Sequence, residues 1–190
     1  MPELKGKKIA VLALDGFEEA ELTEPVKALR EAGAEVRVYS EKREPIQAFK
    51  HHDKSIKVGV DATFDELDPE QCDAVLLPGG ALNADTMRCV EAAQRFVTAM
   101  NEAQKPIAVI CHAPWLLAST GIAKGRSLTS YYTIQDDMRN AGANWSDQEV
   151  VVDGNLVTSR KPDDIPAFNR EFMRLIDRQG SARESAPARV

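Results

Sequence analysis

Short, mainly apolar segments alternate with amphipathic segments along most of the chain. The apolar segments are rich in β-branched residues and predict strands at 8–14, 35–39, 74–77 and 106–110. Helical periodicity predicts helices between them at 23–32 and 90–103. Short strands without a polar face are typical of a parallel sheet that is buried on both faces. We therefore predict an α/β fold, a three-layer sandwich around a mainly parallel sheet.

Two further segments predict antiparallel pairs at the margins of this sheet. The alternation of apolar residues over 56–60 indicates an edge strand or a hairpin, and the polar stretch at 51–52 indicates a loop. Segments 149–152 and 156–159 are joined by Asp-Gly-Asn, which predicts a β-hairpin.

The C-terminal segments predict where the domain ends. Residues 166–178 predict a last helix, and no change in composition divides the chain before it. We expect one α/β domain over residues 1–178. Because residues 179–190 are mostly small, polar or proline, we expect a disordered tail there.

Composition and charge narrow the class of protein. The chain has 190 residues, of which 43% are hydrophobic and 28% charged, as is ordinary for a globular protein. A net charge of −6 without clustered basic residues argues against a nucleic-acid partner. The first apolar run is too short for a signal peptide or a membrane span, so we expect a cytoplasmic protein with no membrane partner. Three cysteines without metal-binding spacing favour a free thiol over a disulfide framework or a zinc site.

The most informative segment is KPIAVICHAPWLLAS, residues 105–119. An apolar strand leads directly into Cys111 and His112 and then into a helix-forming sequence. Such a turn would hold a nucleophilic sulfur above the strand end, where the N–H groups of the following helix favour the thiolate. The spacing fits a small buried core cysteine equally well. For Cys72 and Cys89, which have no partner pattern, a structural role is favoured.

Two other segments reach the same carboxyl edge of the predicted sheet. Gly79 and Gly80 follow an apolar strand and can turn backbone N–H groups outward as an oxyanion hole, although such pairs also form ordinary turns. Glu18 and Glu21 follow the first strand and share a face if a helix begins there. Carboxylates at that place also complement a helix dipole, so both a catalytic and a structural role stay open.

Five motifs together resemble one family. They are GFEEAEL at 16–22, DAVLLPGG at 73–80, AVICHAP at 108–114, TSYYTIQDDMRNAGA at 129–143 and EVVVDGNLVTSR at 149–160. With them the chain resembles the PfpI-type intracellular peptidase-like proteins of the ThiJ/PfpI superfamily. The resemblance covers nearly the whole chain except the tail. It implies a flavodoxin-like sandwich of the class I glutamine amidotransferase-like type.

The resemblance also implies roles for individual residues. Cys111 is the implied nucleophile, with His112 beside it and the carboxyl group of Glu21 touching the sulfur. Burial is expected to keep Glu21 protonated, so that it donates a hydrogen bond to the sulfur instead of repelling a thiolate. Asp85 falls where a carboxylate from the neighbouring subunit completes a Cys-His-acid triad.

The chain departs from the family pattern around this site. Asp85 replaces a usual Glu, Ala113 stands where Gly is common, and Tyr132 and Thr133 replace a common Pro-Gly pair. We therefore expect a pocket whose shape differs from that of the family.

The function implied by the resemblance is a cysteine-dependent stress-response enzyme. It would act on small reactive carbonyl compounds or their adducts on amines and thiols, in the manner of glyoxalases and deglycases. The sulfur of Cys111 would attack the carbonyl carbon to give a hemithioacetal, and the amides of Gly79, Gly80 and His112 would hold the oxyanion. Glu21 or His112 would move protons.

Two other functions stay open. One is an intracellular cysteine peptidase with a peptide substrate and an intersubunit triad; the other is a redox sensor or chaperone that acts through oxidation of Cys111. An amidotransferase subunit is disfavoured, because Cys111 is not flanked by glycines and no His-x-Glu pair follows it. The resemblance implies a homodimer or a higher homo-oligomer and no cofactor.

Overall fold

The computed structural model describes residues 2–184. In chain order, the strands are β1 (Lys8–Leu12), β2 (Phe17–Glu18), β3 (Glu35–Ser40), β4 (Ile46–Lys50), β5 (Asp53–Val58), β6 (Ala62–Thr63), β7 (Ala74–Leu77), β8 (Ile107–Ile110), β9 (Ser127–Leu128), β10 (Asn144–Trp145), β11 (Val150–Asp153) and β12 (Leu156–Ser159). The α-helices are α1 (Glu19–Glu31), α2 (Ala81–Met87), α3 (Glu91–Glu102), α4 (Pro114–Ser119), α5 (Gln135–Asn140) and α6 (Ile165–Glu184).

A seven-stranded sheet forms the centre of the molecule, in the order β11-β12-β8-β7-β1-β3-β6. Every neighbouring pair is parallel except β11 and β12, which form the hairpin predicted from the sequence. The carboxyl ends of β1, β7 and β8 therefore meet at one edge of the sheet, where ligands of parallel α/β sheets bind.

Apolar side chains cover both faces of this sheet. On one face the core includes helix residues of α1 and α6: Leu22, Val26, Leu29, Phe168 and Phe172. On the other it includes residues of α3, α4 and α5: Phe96, Val97, Met100, Leu116, Leu117 and Met138. Successive strand residues point to opposite faces, so a strand buried on both sides has no polar position. The predicted three-layer α/β sandwich is confirmed.

Helix α1 begins at Glu19, four residues before the predicted start. The short strand β2 ends directly before the helix and pairs with β4. The chain therefore enters the helix without an intervening loop. The Thr23 hydroxyl donates to the carbonyl oxygen of Glu19 at 2.9 Å, as a residue inside the first turns of a helix does. This earlier start places Glu21 in the first turn, at the carboxyl edge of the sheet.

Helix α6 continues to Glu184 instead of ending at residue 178. Residues 179–184 are therefore helical and not part of a disordered tail, because each added residue of a formed helix gains a hydrogen bond. The rest of the predicted tail, 185–190, lies outside the described residues.

Helices α2 and α5 were not predicted, since six or seven residues are too few to show a helical period.

Strands β4 and β5 form a hairpin, one of the two structures predicted from the alternation over 56–60, with the predicted loop at 51–52 between them. His51 and His52 form its turn, and His51 has a positive φ of 57°. Over residues 2–184, no helix combines the length and apolar character needed to cross a membrane.

Candidate active site

Cys111 lies on a strained turn between β8 and α4. Its φ is 65°, in the left-handed region that side chains other than glycine rarely adopt. The Cys111 N–H donates to the carbonyl oxygen of Ser159 at 3.0 Å, and the Cys111 carbonyl oxygen accepts from the Tyr131 N–H at 2.8 Å. The predicted sharp strand-to-helix turn is therefore present, and two neighbouring segments hold it.

The surroundings of the Cys111 thiol act on its ionisation in opposite directions. Burial raises the pKa of the thiol well above its usual range, and the nearby Glu21 carboxyl group raises it further. The backbone N–H groups of Gly80 and His112 act on the sulfur in the opposite direction, since they stabilise a negative charge there. Two donors thus already point to where charge develops when the sulfur or an attached carbonyl becomes anionic.

Glu21 is the carboxyl group at the sulfur. It is fully buried, and its Oε2 accepts a hydrogen bond from the Gly79 N–H at 2.8 Å. Burial raises the pKa of Glu21 to about 8, and the charge of Glu18 contributes in the same direction. The carboxyl group is therefore protonated at neutral pH and can donate its proton to the sulfur.

Glu18 and Gly79 lie beside the site but in other roles than the sequence suggested. The Glu18 Oε2 accepts from the backbone N–H of His51 at 2.9 Å, so this carboxylate fastens the turn of the β4–β5 hairpin. The Gly79 amide is bound to Glu21 and is not a free oxyanion donor. Gly79 serves close packing, because an added Cβ would lie 2.6 Å from the Cys111 Cβ. The amides that act on the sulfur are those of Gly80 and His112, which makes them the candidates for an oxyanion hole.

His112 is half-buried and bridges the sulfur and a hydroxyl. Its Nδ1 lies 3.2 Å from the Cys111 Sγ, and its Nε2 lies 3.3 Å from the Thr133 Oγ1. The ring stacks on Tyr131 with centroids 4.7 Å apart, and Trp115 lies 5.4 Å away on another side. Burial lowers the pKa of His112, so the imidazole is neutral and can accept the thiol proton.

Asp85 lies on the exposed face of α2. Within the chain, the Nε2 of His112 faces Thr133 and not this carboxylate. Its role in a triad across a subunit interface stays a prediction.

Asn83 is a site residue that the sequence did not reveal. Its side chain is 1% exposed, its Nδ2 donates to the carbonyl oxygens of Pro78 and Gly79, and its Oδ1 accepts from the Leu14 N–H. It therefore holds the loop after β1 against the turn after β7. The available signal was its position one helical turn after the two glycines. This signal could not be used because helix α2 was not predicted.

The residues around Cys111 offer a thiol, an imidazole and a carboxyl group, the set needed for nucleophilic and proton-transfer chemistry. Over the described part of the chain, His, Cys, Asp and Glu side chains form no group of three or more that could hold a metal ion. Cys72 is buried, Cys89 is exposed, and all three cysteines are free.

Residues 7–175 match the model of the DJ-1/PfpI family. The chain belongs to the DJ-1/PfpI family. This confirms the resemblance seen in the five sequence motifs, and the match spans every element that carries the site.

Similar proteins of the DJ-1/PfpI family include deglycase TK1284 of Thermococcus kodakarensis, 47% identical over 89% of this chain and 99% of that protein. "Putative cysteine protease YraA" of Bacillus subtilis is 44% identical over 90% of this chain and 98% of that protein. A solved two-domain protein from Anabaena variabilis, with DJ-1/ThiJ/PfpI-like and ferritin-like domains, superposes with a TM-score of 0.84 and 35% identity over 92% of this chain and 48% of that one. Both relatives carry enzyme names, so the prediction of an enzyme is confirmed.

Proposed function

We propose that the chain is a cysteine-dependent deglycase-like enzyme, which acts on adducts of small reactive carbonyl compounds with amines and thiols. The observation that carries this proposal is the arrangement at Cys111. Its sulfur lies 3.2 Å from a neutral imidazole and next to the amides of Gly80 and His112. The name and 47% identity of deglycase TK1284 support the same chemistry.

In the proposed first step, the Cys111 sulfur adds to the carbonyl carbon of the adduct. The S–H bond breaks as the proton passes to Nδ1 of His112, an S–C bond forms, and the π pair of the carbonyl moves to its oxygen. The amides of Gly80 and His112 then stabilise the oxyanion. In a hemiaminal or hemithioacetal adduct, the carbon–nitrogen or carbon–sulfur bond on the adjacent carbon then breaks as the hydroxyl of that carbon closes to a carbonyl and passes its proton to the oxyanion. The leaving amine or thiol takes the bonding pair and the proton held by His112.

Glu21 has a separate task in this proposal. As a neutral acid it adds no negative charge beside a forming thiolate. An ionised carboxylate at the same place would raise the free energy of the thiolate through repulsion.

The test measures release of free amine from an N-acetyl-lysine adduct of methylglyoxal by the wild type, Cys111→Ser and Cys89→Ser. We expect Cys111→Ser to lose about 100-fold or more of the rate. Cys89→Ser, which removes an exposed thiol, is expected to stay within about twofold of the wild type. Equal rates for the wild type and Cys111→Ser would contradict the proposal.

An intracellular cysteine peptidase is the second candidate, since the Cys-His pair at 3.2 Å and the name of YraA favour it. The same variants assayed on a fluorogenic peptide separate the two candidates. Peptide cleavage without adduct turnover, lost in Cys111→Ser, would replace the deglycase proposal. If neither substrate turns over and mild peroxide adds two oxygens selectively to Cys111, the redox-sensor function would replace both.

A further inference from the structure

The three-residue segment 131–133 contacts the Cys111–His112 pair at three places. The Tyr131 N–H donates to the Cys111 carbonyl oxygen, and the Tyr131 ring stacks on the imidazole at an interplanar angle of 29°. Two residues later, the Thr133 Oγ1 lies 3.3 Å from the His112 Nε2. One short segment therefore holds the backbone of the nucleophile, the plane of the base and the outer nitrogen of the base.

The hydrogen bonds at the two ring nitrogens select one tautomer. Nδ1 faces the Cys111 sulfur at 3.2 Å and Nε2 faces the Thr133 hydroxyl at 3.3 Å. A neutral imidazole has one N–H, and a threonine hydroxyl can either donate or accept. Burial raises the pKa of the thiol, so the S–H is a donor and Nδ1 accepts from it. Nε2 must then carry the ring proton and donate it to Thr133.

We propose that Thr133 is a positioning residue, which holds His112 as the Nε2–H tautomer and so keeps Nδ1 free as the base for Cys111. The proposal rests on the proposed function, because it concerns activation of the same thiol. In the activation step the S–H bond of Cys111 breaks and an N–H bond forms at Nδ1. The proton stays within the pair, and Thr133 accepts a stronger hydrogen bond from the charged imidazolium.

In this arrangement a hydroxyl of the same chain orients the imidazole, which is a task of the carboxylate in a conventional triad. A carboxylate orients the base and stabilises its charged form, whereas a hydroxyl orients it and stabilises the charge less. Thr133 occupies one of the two adjacent positions at which the chain departs from the Pro-Gly pair of the motif. We therefore assign to Thr133, and not to Asp85, the hydrogen bond at Nε2.

The test compares Thr133→Val, which loses the hydroxyl but keeps the shape, with Thr133→Ser, which keeps the hydroxyl. Thr98→Val, on α3, is the matched control for a threonine change away from the site. Two properties are measured: the ring ¹⁵N chemical shifts of His112, assigned against a His112→Gln spectrum, and the rate of Cys111 alkylation by iodoacetamide at neutral pH.

We expect the wild type to show the Nε2–H tautomer and Thr133→Val to show a mixture with the Nδ1–H tautomer. Alkylation of Cys111 should slow by about fivefold to tenfold in Thr133→Val, the effect of losing one hydrogen bond. Thr133→Ser should restore both properties to within about twofold, and Thr98→Val should leave them unchanged.

A wild type with the Nδ1–H tautomer, or a Thr133→Val protein with wild-type shifts and alkylation rate, would overturn the proposal. A slowing in Asp85→Asn that exceeds that in Thr133→Val would assign the role to the carboxylate instead. Neither readout depends on turnover. Failure of the deglycase assay with the expected tautomer change would remove the proposed function alone, and turnover without the tautomer change would remove this inference alone.

Discussion

Cys111 has a backbone conformation that costs about 1–3 kcal/mol for a residue with a side chain. The hydrogen bonds from its N–H to Ser159 and from Tyr131 to its carbonyl oxygen offset that cost. The strain turns the sulfur out of the line of β8 toward the amides of Gly80 and His112. The two residues that hold the backbone therefore belong to the candidate site, although neither offers a reacting group to the sulfur.

Glu21 makes the stability of the protein depend on pH. The pKa of its carboxyl group is about 8 in the folded chain, against 4.5 when unperturbed. The folded state therefore binds a proton that the unfolded state loses above pH 4.5, and stability falls as the pH rises from 4.5 to about 8. Glu21→Gln removes this contribution. We expect its free energy of unfolding, relative to the wild type, to increase across that window, on the order of a few kcal/mol in total.

The measurement is urea unfolding of both proteins at several pH values within the window. Glu24→Gln is the matched control, since Glu24 is exposed on the same helix. We expect its difference from the wild type to stay constant with pH. A Glu21→Gln difference that is also constant would show that the buried carboxyl group is ionised throughout.

At the scale of the secondary-structure elements, the site depends on how the loops after β1 and β7 are joined. Helix α2 begins directly after Gly80, whose φ of 84° brings the chain out of the strand in a direction that few side chains permit. The helix then presents Asn83 to both loops. The orientation of the Gly80 amide toward the sulfur therefore depends on a helix that carries no reacting group.

Asn83→Ala tests this connection. The change removes the partner of the buried Leu14 N–H and of the Pro78 carbonyl oxygen, and it leaves the Gly79 carbonyl oxygen with only the 3.4 Å hydrogen bond from the Glu18 N–H. We expect a loss of about 2–3 kcal/mol in the free energy of unfolding and a lower rate of adduct turnover, because the turn that carries the Gly80 amide loosens. The measurements are urea denaturation and the deglycase assay.

Asn140→Ala provides the comparison, since Asn140 is exposed at the end of α5. It is expected to change stability by less than about 0.5 kcal/mol. Equal effects of the two substitutions would mean that Asn83 does not hold the turn.

At the scale of the whole molecule, the surface beside the site carries large apolar side chains. Leu82 on α2 is 61% exposed and Tyr132 is 62% exposed. Large exposed apolar side chains beside a site are typical of an interaction surface. We expect a homodimer with the α2 face, which also carries Asp85, in the contact.

Leu82→Lys places a charge in that expected contact. We expect it to weaken the dimer by about tenfold or more, which light scattering after size-exclusion chromatography measures as a lower mass. Ile56→Lys is the control, because Ile56 is an exposed apolar residue on the β4–β5 hairpin. The same mass for both variants would place the contact elsewhere.

The sequence alone determined those parts of the molecule that follow from local patterns of residues. Mainly apolar runs separated by helical periods predicted the parallel sheet and its two helical layers, because strands buried on both faces admit few polar positions. The run from β8 into Cys111 and His112 predicted the turn that carries the nucleophile, since a strand that leads at once into a helix leaves only a sharp turn between them.

Only the tertiary structure decided which groups meet at the sulfur. Sequence spacing left Glu18 and Glu21 equivalent, but the fold sends Glu18 to the β4–β5 turn and buries Glu21 against Gly79, which is 58 residues away in the chain. The contact of Thr133 with His112 spans 21 residues. Such hydrogen bonds form because packing of the sheet and helices brings distant loops to one edge, and no local pattern encodes which partners arrive there.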